Sequence, residues 1–347
     1  MTSRPLYPMA LLLALALACG DDGGLDPNDP DNPNALGLAV GVRVDPATFP
    51  ATGEFVLELV PSTAEGQSLV TEAWEITTSI TSPAGGAATL LSQEVSLPDS
   101  RSFSIAIDID NTGSMSRNDP GELRLDAASF FAGDFLALDV ENRLSLFEVG
   151  PTTTTDPPQT PGFPGTRFVL DWTSTTATIQ GAIADLSAYP DQVGGSKIYR
   201  SLERITTWID TTTTLATEHR GILLITDGRP ADGDVSDEFF AAAAATETVV
   251  HTVGLGPGSD RGGDTDPLAV QELQTIANTT GGLYVGAATP ERLASLLQAL
   301  ATSTTGGVIF ARFQIQPAPA AGTVVSGVVR LENERGIAQA SWSFVAP

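Results

Sequence analysis

Apolar residues change their spacing twice along the chain. Residues 36–97 carry short runs, LGLAVGVRV, EFVLELV, LVTEAWEITTSI and ATLLSQEVSL, with turn residues between them. In the second run Phe55, Leu57 and Leu59 alternate with Val56, Glu58 and Val60, and in the third Trp74 and Ile76 share a side, the period of two that half-buried strands need. Pro46, Pro50, Pro61, Pro83 and Pro98 are expected between strands, because proline has no amide hydrogen to give a ladder. Three similar runs, VIFARFQIQ, GTVVSGVVRLE and GIAQASWSFV, close the chain. Seven strands split four and three predict an immunoglobulin-like β-sandwich made of residues 36–100 and 306–347, with the middle of the chain inserted in it. Two unrelated β appendages are the alternative.

The middle, residues 101–305, reads differently. Short runs rich in apolar residues alternate with stretches of helical spacing. Strands are expected at 103–110, 142–150, 167–172, 221–227, 249–255 and 283–285. Helices are expected at 123–138, 178–186, 198–210, 239–246, 268–279 and 290–301. In the first helix Leu125, Ala128, Phe131 and Phe135 face one way. Strands that alternate with helices predict an α/β fold, a doubly wound and mostly parallel sheet, which binds ligands at the carboxyl ends of its strands. Residues 151–165, PTTTTDPPQTPGFPG, have no pattern and read as an exposed loop.

The N-terminus adds a third pattern. Arg4 precedes MALLLALALA at residues 9–18, a run too short to span a membrane comfortably but suited to an export signal. Cys19, the only cysteine, follows Ala16, Leu17 and Ala18 in an arrangement that resembles the bacterial lipobox, with Ala16 where leucine is preferred. Residues 1–18 are then a lipoprotein signal peptide, Cys19 the lipidated N-terminus, and residues 19–35, dense in Asp, Asn, Pro and Gly, an acidic flexible tether. The expected location is the bacterial cell envelope, outside the cytoplasm, at the outer membrane or cell surface. Ordinary signal cleavage beside an incidental cysteine is the alternative.

A formal charge of −25 argues against nucleic acid as a partner. With a single cysteine there is no internal disulfide and no cysteine-based metal site. Candidate chemistry lies where two apolar strands end in aspartate. After FSIAIDID comes NTGSMS, so Asp110, Thr112 and Ser114 alternate along a turn loosened by Gly113. After GILLIT comes Asp227, and Gly194-Gly195-Ser196 precedes a helix between the two. If these strands are neighbours, two carboxylates and three hydroxyls converge. Hard oxygen donors suit Mg²⁺ or Mn²⁺, with Ca²⁺ less well matched, and a cation relieves the repulsion between the carboxylates. Taken alone, the pentapeptide also fits a strand-to-helix turn with Thr112 or Ser114 as N-cap.

On these residues, 101 to about 303 resemble a von Willebrand factor type A (VWA) domain. Asp110-Asn111-Thr112-Gly113-Ser114 is similar to the first part of that family's metal-ion-dependent adhesion site, usually Asp-x-Ser-x-Ser. Gly194-Gly195-Ser196 resembles the loop that supplies a threonine, and Thr226-Asp227-Gly228 the loop that supplies the last aspartate. VHTVGLG at 250–256 and IANTTGGLY at 276–284 resemble the fifth strand and the last helix-strand step. Thr112 and Ser196 depart from the usual residues but keep the hydroxyl. The resemblance implies a metal site of Asp110, Thr112, Ser114, Ser196 and Asp227. It also implies adhesion or assembly, in which the cation accepts a carboxylate from an unidentified protein ligand presenting Asp or Glu. The acidic surface argues for a partner that is basic around that carboxylate.

The rivals are a scaffold whose cation only stabilises the loops, and a hydrolase. Only His219 and His251 are available as imidazoles, His219 in a polar stretch and His251 in a strand, and no Gly-x-Ser-x-Gly elbow occurs, so the expectation is no enzyme. Asp108 has no assigned role and is expected near the site or at an edge. Asp232, Asp234, Asp260, Asp264 and Asp266 are expected to be solvated turn residues.

Overall fold

A computed structural model describes residues 36–347 except 64–65, 97–101, 140, 150–165, 189–194, 213–218, 261–264, 288–292, 294–296, 298–299 and 302–306. Cys19, the tether, the Thr/Pro-rich loop, Gly194, Asp264 and most of the helix expected at 290–301 lie outside the described residues.

The strands are β1 (Gly37–Arg43), β2 (Glu54–Ser62), β3 (Glu75–Ser82), β4 (Ala88–Ser96), β5 (Phe103–Asp110), β6 (Arg143–Val149), β7 (Thr166–Thr173), β8 (His219–Thr226), β9 (Val249–Leu255), β10 (Tyr284–Ala287), β11 (Val308–Ile315), β12 (Val324–Asn333) and β13 (Gly336–Val345). The helices are α1 (Phe49–Thr52), α2 (Met115–Asn118), α3 (Leu123–Leu138), α4 (Thr176–Ala184), α5 (Ile198–Thr212), α6 (Ser236–Thr246) and α7 (Pro267–Thr280).

The middles of β5 and β8 are rich in aliphatic residues because neither face meets water there: Ile105, Ala106, Ile107 and Ile109, and Ile222 to Ile225, are all buried. β5 pairs in parallel with β6 on one side and β8 on the other, and β8, β9 and β10 continue in parallel. β7 closes this half antiparallel to β6. The chain leaves β5 for one side of the sheet and returns on the other at β8, so the switch point falls between these two strands. The helix at 123–138 is found as α3, with Leu125, Ala128, Phe131 and Phe135 buried.

The flank differs from the expected separate sandwich. β1 pairs antiparallel with β10 at Val40 and Tyr284, and the order continues β2, β11, β4, so one sheet of ten strands runs from β4 to β7. The remaining three, β3, β12 and β13, form a second sheet. Each sheet mixes the two ends of the chain: β11 joins β1, β2 and β4 in the extension of the central sheet, and β3 joins β12 and β13. The signal in β1 was its burial on both faces, which sets an interior strand apart from a half-buried one. Between the two sheets the Phe55 ring lies 5.7 Å from Phe313, 5.0 Å from Trp342 and 5.4 Å from Phe344.

Two local expectations also fail. Pro61 lies inside β2, opposite Leu38, which is tolerated because the β11 ladder ends at Leu59 and needs no amide there. The third run is strand only over Glu75–Ser82; before it, Trp74 Nε1 donates to the Leu69 carbonyl at 3.0 Å and closes a turn.

Candidate metal centre

β5 delivers Asp110, fully buried, to the carboxyl edge of the sheet. Its Oδ1 accepts from the Thr112 amide at 2.9 Å and the Thr112 hydroxyl at 2.7 Å. Its Oδ2 accepts from the hydroxyls of Ser196 and Thr226, each at 2.7 Å. Thr112 Oγ1 lies 3.3 Å from Ser114 Oγ and 3.1 Å from Ser196 Oγ, and Ser114 donates to Asp227 Oδ1 at 2.9 Å. All five sequence-predicted side chains therefore meet in one place. Ser114 does occupy the N-cap of α2, but its hydroxyl makes no capping bond and turns to Asp227, which separates the site reading from the turn reading.

Two members were missed. Thr226, the last residue of β8, adds a hydroxyl to Asp110, and Asn118 in α2 donates to Asp227 Oδ2 at 2.7 Å. Thr226 was legible as the polar end of an apolar run. Asn118 carried no signal, because its role depends on how α2 folds back over β8.

The first loop stands on buried polar groups. Asn111 donates to Glu148 at 2.8 Å and to the Leu186 carbonyl at 2.9 Å, and accepts from Arg124. Arg124 also donates to Asp119 at 2.8 Å and to the Asp110 carbonyl at 3.2 Å, and Arg167 pairs with Glu148. The Asp227 loop is held from beneath by Gly258, whose amide donates to the Asp227 carbonyl at 3.0 Å. Close approach explains the glycines here: a Cβ on Gly254 would sit 1.8 Å from the Gly258 oxygen, and Gly256 has φ +48°.

Burial, then the nearby charge of Asp110, pushes the Asp227 carboxyl up to about 6. Asp108 is fully buried, accepts from the Ser201 hydroxyl at 2.7 Å, and is pushed up to about 7, mainly by burial. It is thus an interior carboxyl beneath the site. Asp232 is no solvated turn residue: it is buried and accepts from the amides of Tyr199 and Arg200 at 3.2 and 2.8 Å, capping α5 from another loop. Asp266 caps α7, and Asp260 accepts from the Ser341 amide of β13 at 2.9 Å. His251 Nδ1 accepts from the Leu283 amide, and burial lowers its pKa to about 4. His219 is half-buried at the start of β8 and stacks on Phe103 at 4.7 Å, at the opposite strand end from Asp110.

The donor set fits a hard cation. Adjacent ligands in an octahedron with bonds of about 2.1 Å stand about 3.0 Å apart, and the hydroxyl and carboxylate oxygens here are spaced 2.7 to 3.3 Å. Among the described residues no group of three or more His, Cys, Asp or Glu side chains is placed to hold a metal, so a site of this kind depends on the hydroxyls. Nor is any described helix long and apolar enough to cross a membrane.

No protein-family model matches the chain, and no curated protein does. Solved structures similar to it include the pilus adhesin SpaC of Lactobacillus rhamnosus GG in an open conformation, at 11% identity and TM-score 0.44, over 90% of this chain and 47% of that one. Proximal thread matrix protein 1 of the mussel byssus, in a form with a zinc-occupied MIDAS motif, is similar at 14% identity and TM-score 0.41, over 65% of this chain and 50% of that one. BatB of Bacteroides thetaiotaomicron is similar at 16% identity and TM-score 0.40, over 58% and 98%. The chain spans about half the length of SpaC and of the mussel protein. At this level of likeness none of them assigns a family.

Proposed function

We propose that this is an envelope-anchored, metal-dependent protein-binding module with a VWA-type site. Asp110, Thr112, Ser114, Ser196 and Asp227 would hold Mg²⁺ or Mn²⁺, and a protein ligand would dock on it through an Asp or Glu. The observation that carries this reading is the convergence of five oxygen-bearing side chains from three loops at the switch point. A bound cation would supply a positive centre able to attract an outside carboxylate oxygen. Asp110 anchors the set, Thr112 and Ser196 are already turned to it, and Asn118 steadies Asp227. The Asn111, Arg124 and Asp119 network fixes the first loop without an ion, which favours docking over a cation that only stiffens loops.

We also propose that residues 1–18 are an export signal and that Cys19 carries the lipid. No enzymatic activity is proposed. Titration calorimetry of the mature chain with Mg²⁺ and Mn²⁺ tests the site: uptake is expected in the wild type and none in Asp110→Ala. Unchanged melting in excess of either ion would refute the reading. For the anchor, Cys19→Ala is expected to move the protein from the membrane fraction to the soluble one.

A further inference from the structure

The cations nearest the site in sequence have no ion-pair partner among the described residues. Arg117 is exposed in α2, three residues after Ser114; Lys197, half-exposed, follows Ser196; and Arg229 is exposed two residues after Asp227. Each of the three site loops contributes one, and Lys197 is the chain's only lysine. Elsewhere among the described residues cations are taken. Arg220 lies against Asp210 and Arg312 against Glu54, Arg143 sits over the Trp172 ring, and Arg200 lies close enough to feel the charge of Asp232. On the Arg229 loop, Asp232 is turned inward to cap α5, which leaves Asp234 as that loop's exposed carboxylate.

Resting on the metal reading above, we infer that Arg117, Lys197 and Arg229 form a basic collar around the centre, and that the partner docks through an acidic segment rather than an isolated carboxylate. The net charge of −25 argues for a basic partner. However, screening limits exposed charges to about 8 Å at physiological salt, so the charges that matter to a docked ligand are those next to the site, and one unpaired cation stands within three residues of Ser114, of Ser196 and of Asp227. One carboxylate of the segment would meet the cation, and its neighbours the collar. The rest of the acidic surface repels the same ligand anywhere else, so the collar sets register as well as affinity.

The test uses the mature chain with Mg²⁺, a labelled oligoglutamate peptide, and a glycine-serine peptide of equal length with one glutamate. Oligoglutamate is expected to bind about tenfold tighter, and salt should erase that advantage. The variant Arg117→Gln/Lys197→Gln/Arg229→Gln should lose it while keeping Mg²⁺ uptake by calorimetry. A control that neutralises Arg312, Arg330 and Arg335 on the flank should keep it, which removes net charge as the cause. A zero-length carbodiimide cross-link should join the acidic peptide to Lys197. Equal affinity for both peptides, or an unaltered advantage in the triple variant, overturns the collar and leaves the metal reading standing. Collar-dependent binding that survives a chelator overturns the metal reading and leaves the collar; no Mg²⁺ uptake together with no peptide binding overturns both.

Discussion

Between β2 and β11 on one side and β12 and β13 on the other, the buried positions are Phe55, Phe313, Trp342 and Phe344, with Phe49 5.5 Å from Phe344. At the ends of β5 and β8 they are Asp108, Asp110, Asn111, Thr112, Thr226 and Asp227. Both regions exclude water equally well, yet one gains stability from burial and the other loses it. Aromatic side chains leave water with a favourable transfer free energy. Carboxylates leave it at a cost that hydrogen bonds only partly offset, which is why Asp227 and Asp108 hold their protons more tightly than free aspartate. A fold that keeps two such carboxylates at its switch point keeps them for something other than stability.

The largest expected effect tests the apolar side. Trp342→Ala should cost about 3 to 5 kcal/mol in urea melts while leaving Mg²⁺ affinity unchanged. If affinity falls with stability, the two regions are one cooperative unit and the comparison fails. Arg124→Met comes next, at about 3 kcal/mol, because it strands Asp119 buried without its counter-charge. Unlike the first variant it should also weaken cation uptake, since Asn111 and the Asp110 carbonyl lose their donor.

Asp227→Asn should move stability the other way. In its folded form Asp227 titrates near 6 against 3.8 for the free group, so between those values the unfolded chain releases its proton first and folding is disfavoured as pH rises. In chelator at pH 7.5 the Asn variant should be more stable than wild type by up to about 3 kcal/mol. That gain should shrink below pH 6 and vanish below about 4, and cation uptake should be lost. A variant less stable than wild type at pH 7.5 would show that the carboxylate is not under strain. The smallest effect belongs to β4, the sheet's edge, where Leu91 is 45% exposed. There Leu91→Thr should change stability by less than about 0.5 kcal/mol.

Much of the centre was legible because its residues stand where apolar runs stop: Asp110 after IAIDI and Asp227 after ILLIT are anomalies that a buried strand would not carry without cause. Asn118 and Arg124 were not legible. Each is an ordinary polar residue in a helix, and only the packing of α2 and α3 beside the site gives it a partner. Asp232 misled for the same reason, since a loop aspartate looks solvated until a neighbouring helix lays two bare amides against it.

By itself, the sequence determined the kind of element at most positions, the alternation that makes a doubly wound half, and the oxygen chemistry at two strand ends. Periodicity is a local property and survives in one dimension. Only the tertiary structure decided that β1 continues the central sheet, that α2 brings Asn118 to Asp227, and that Thr112, Ser114 and Ser196 gather on the two aspartates. Strand pairing and charge proximity are set between residues far apart in the chain, where spacing carries no record of distance.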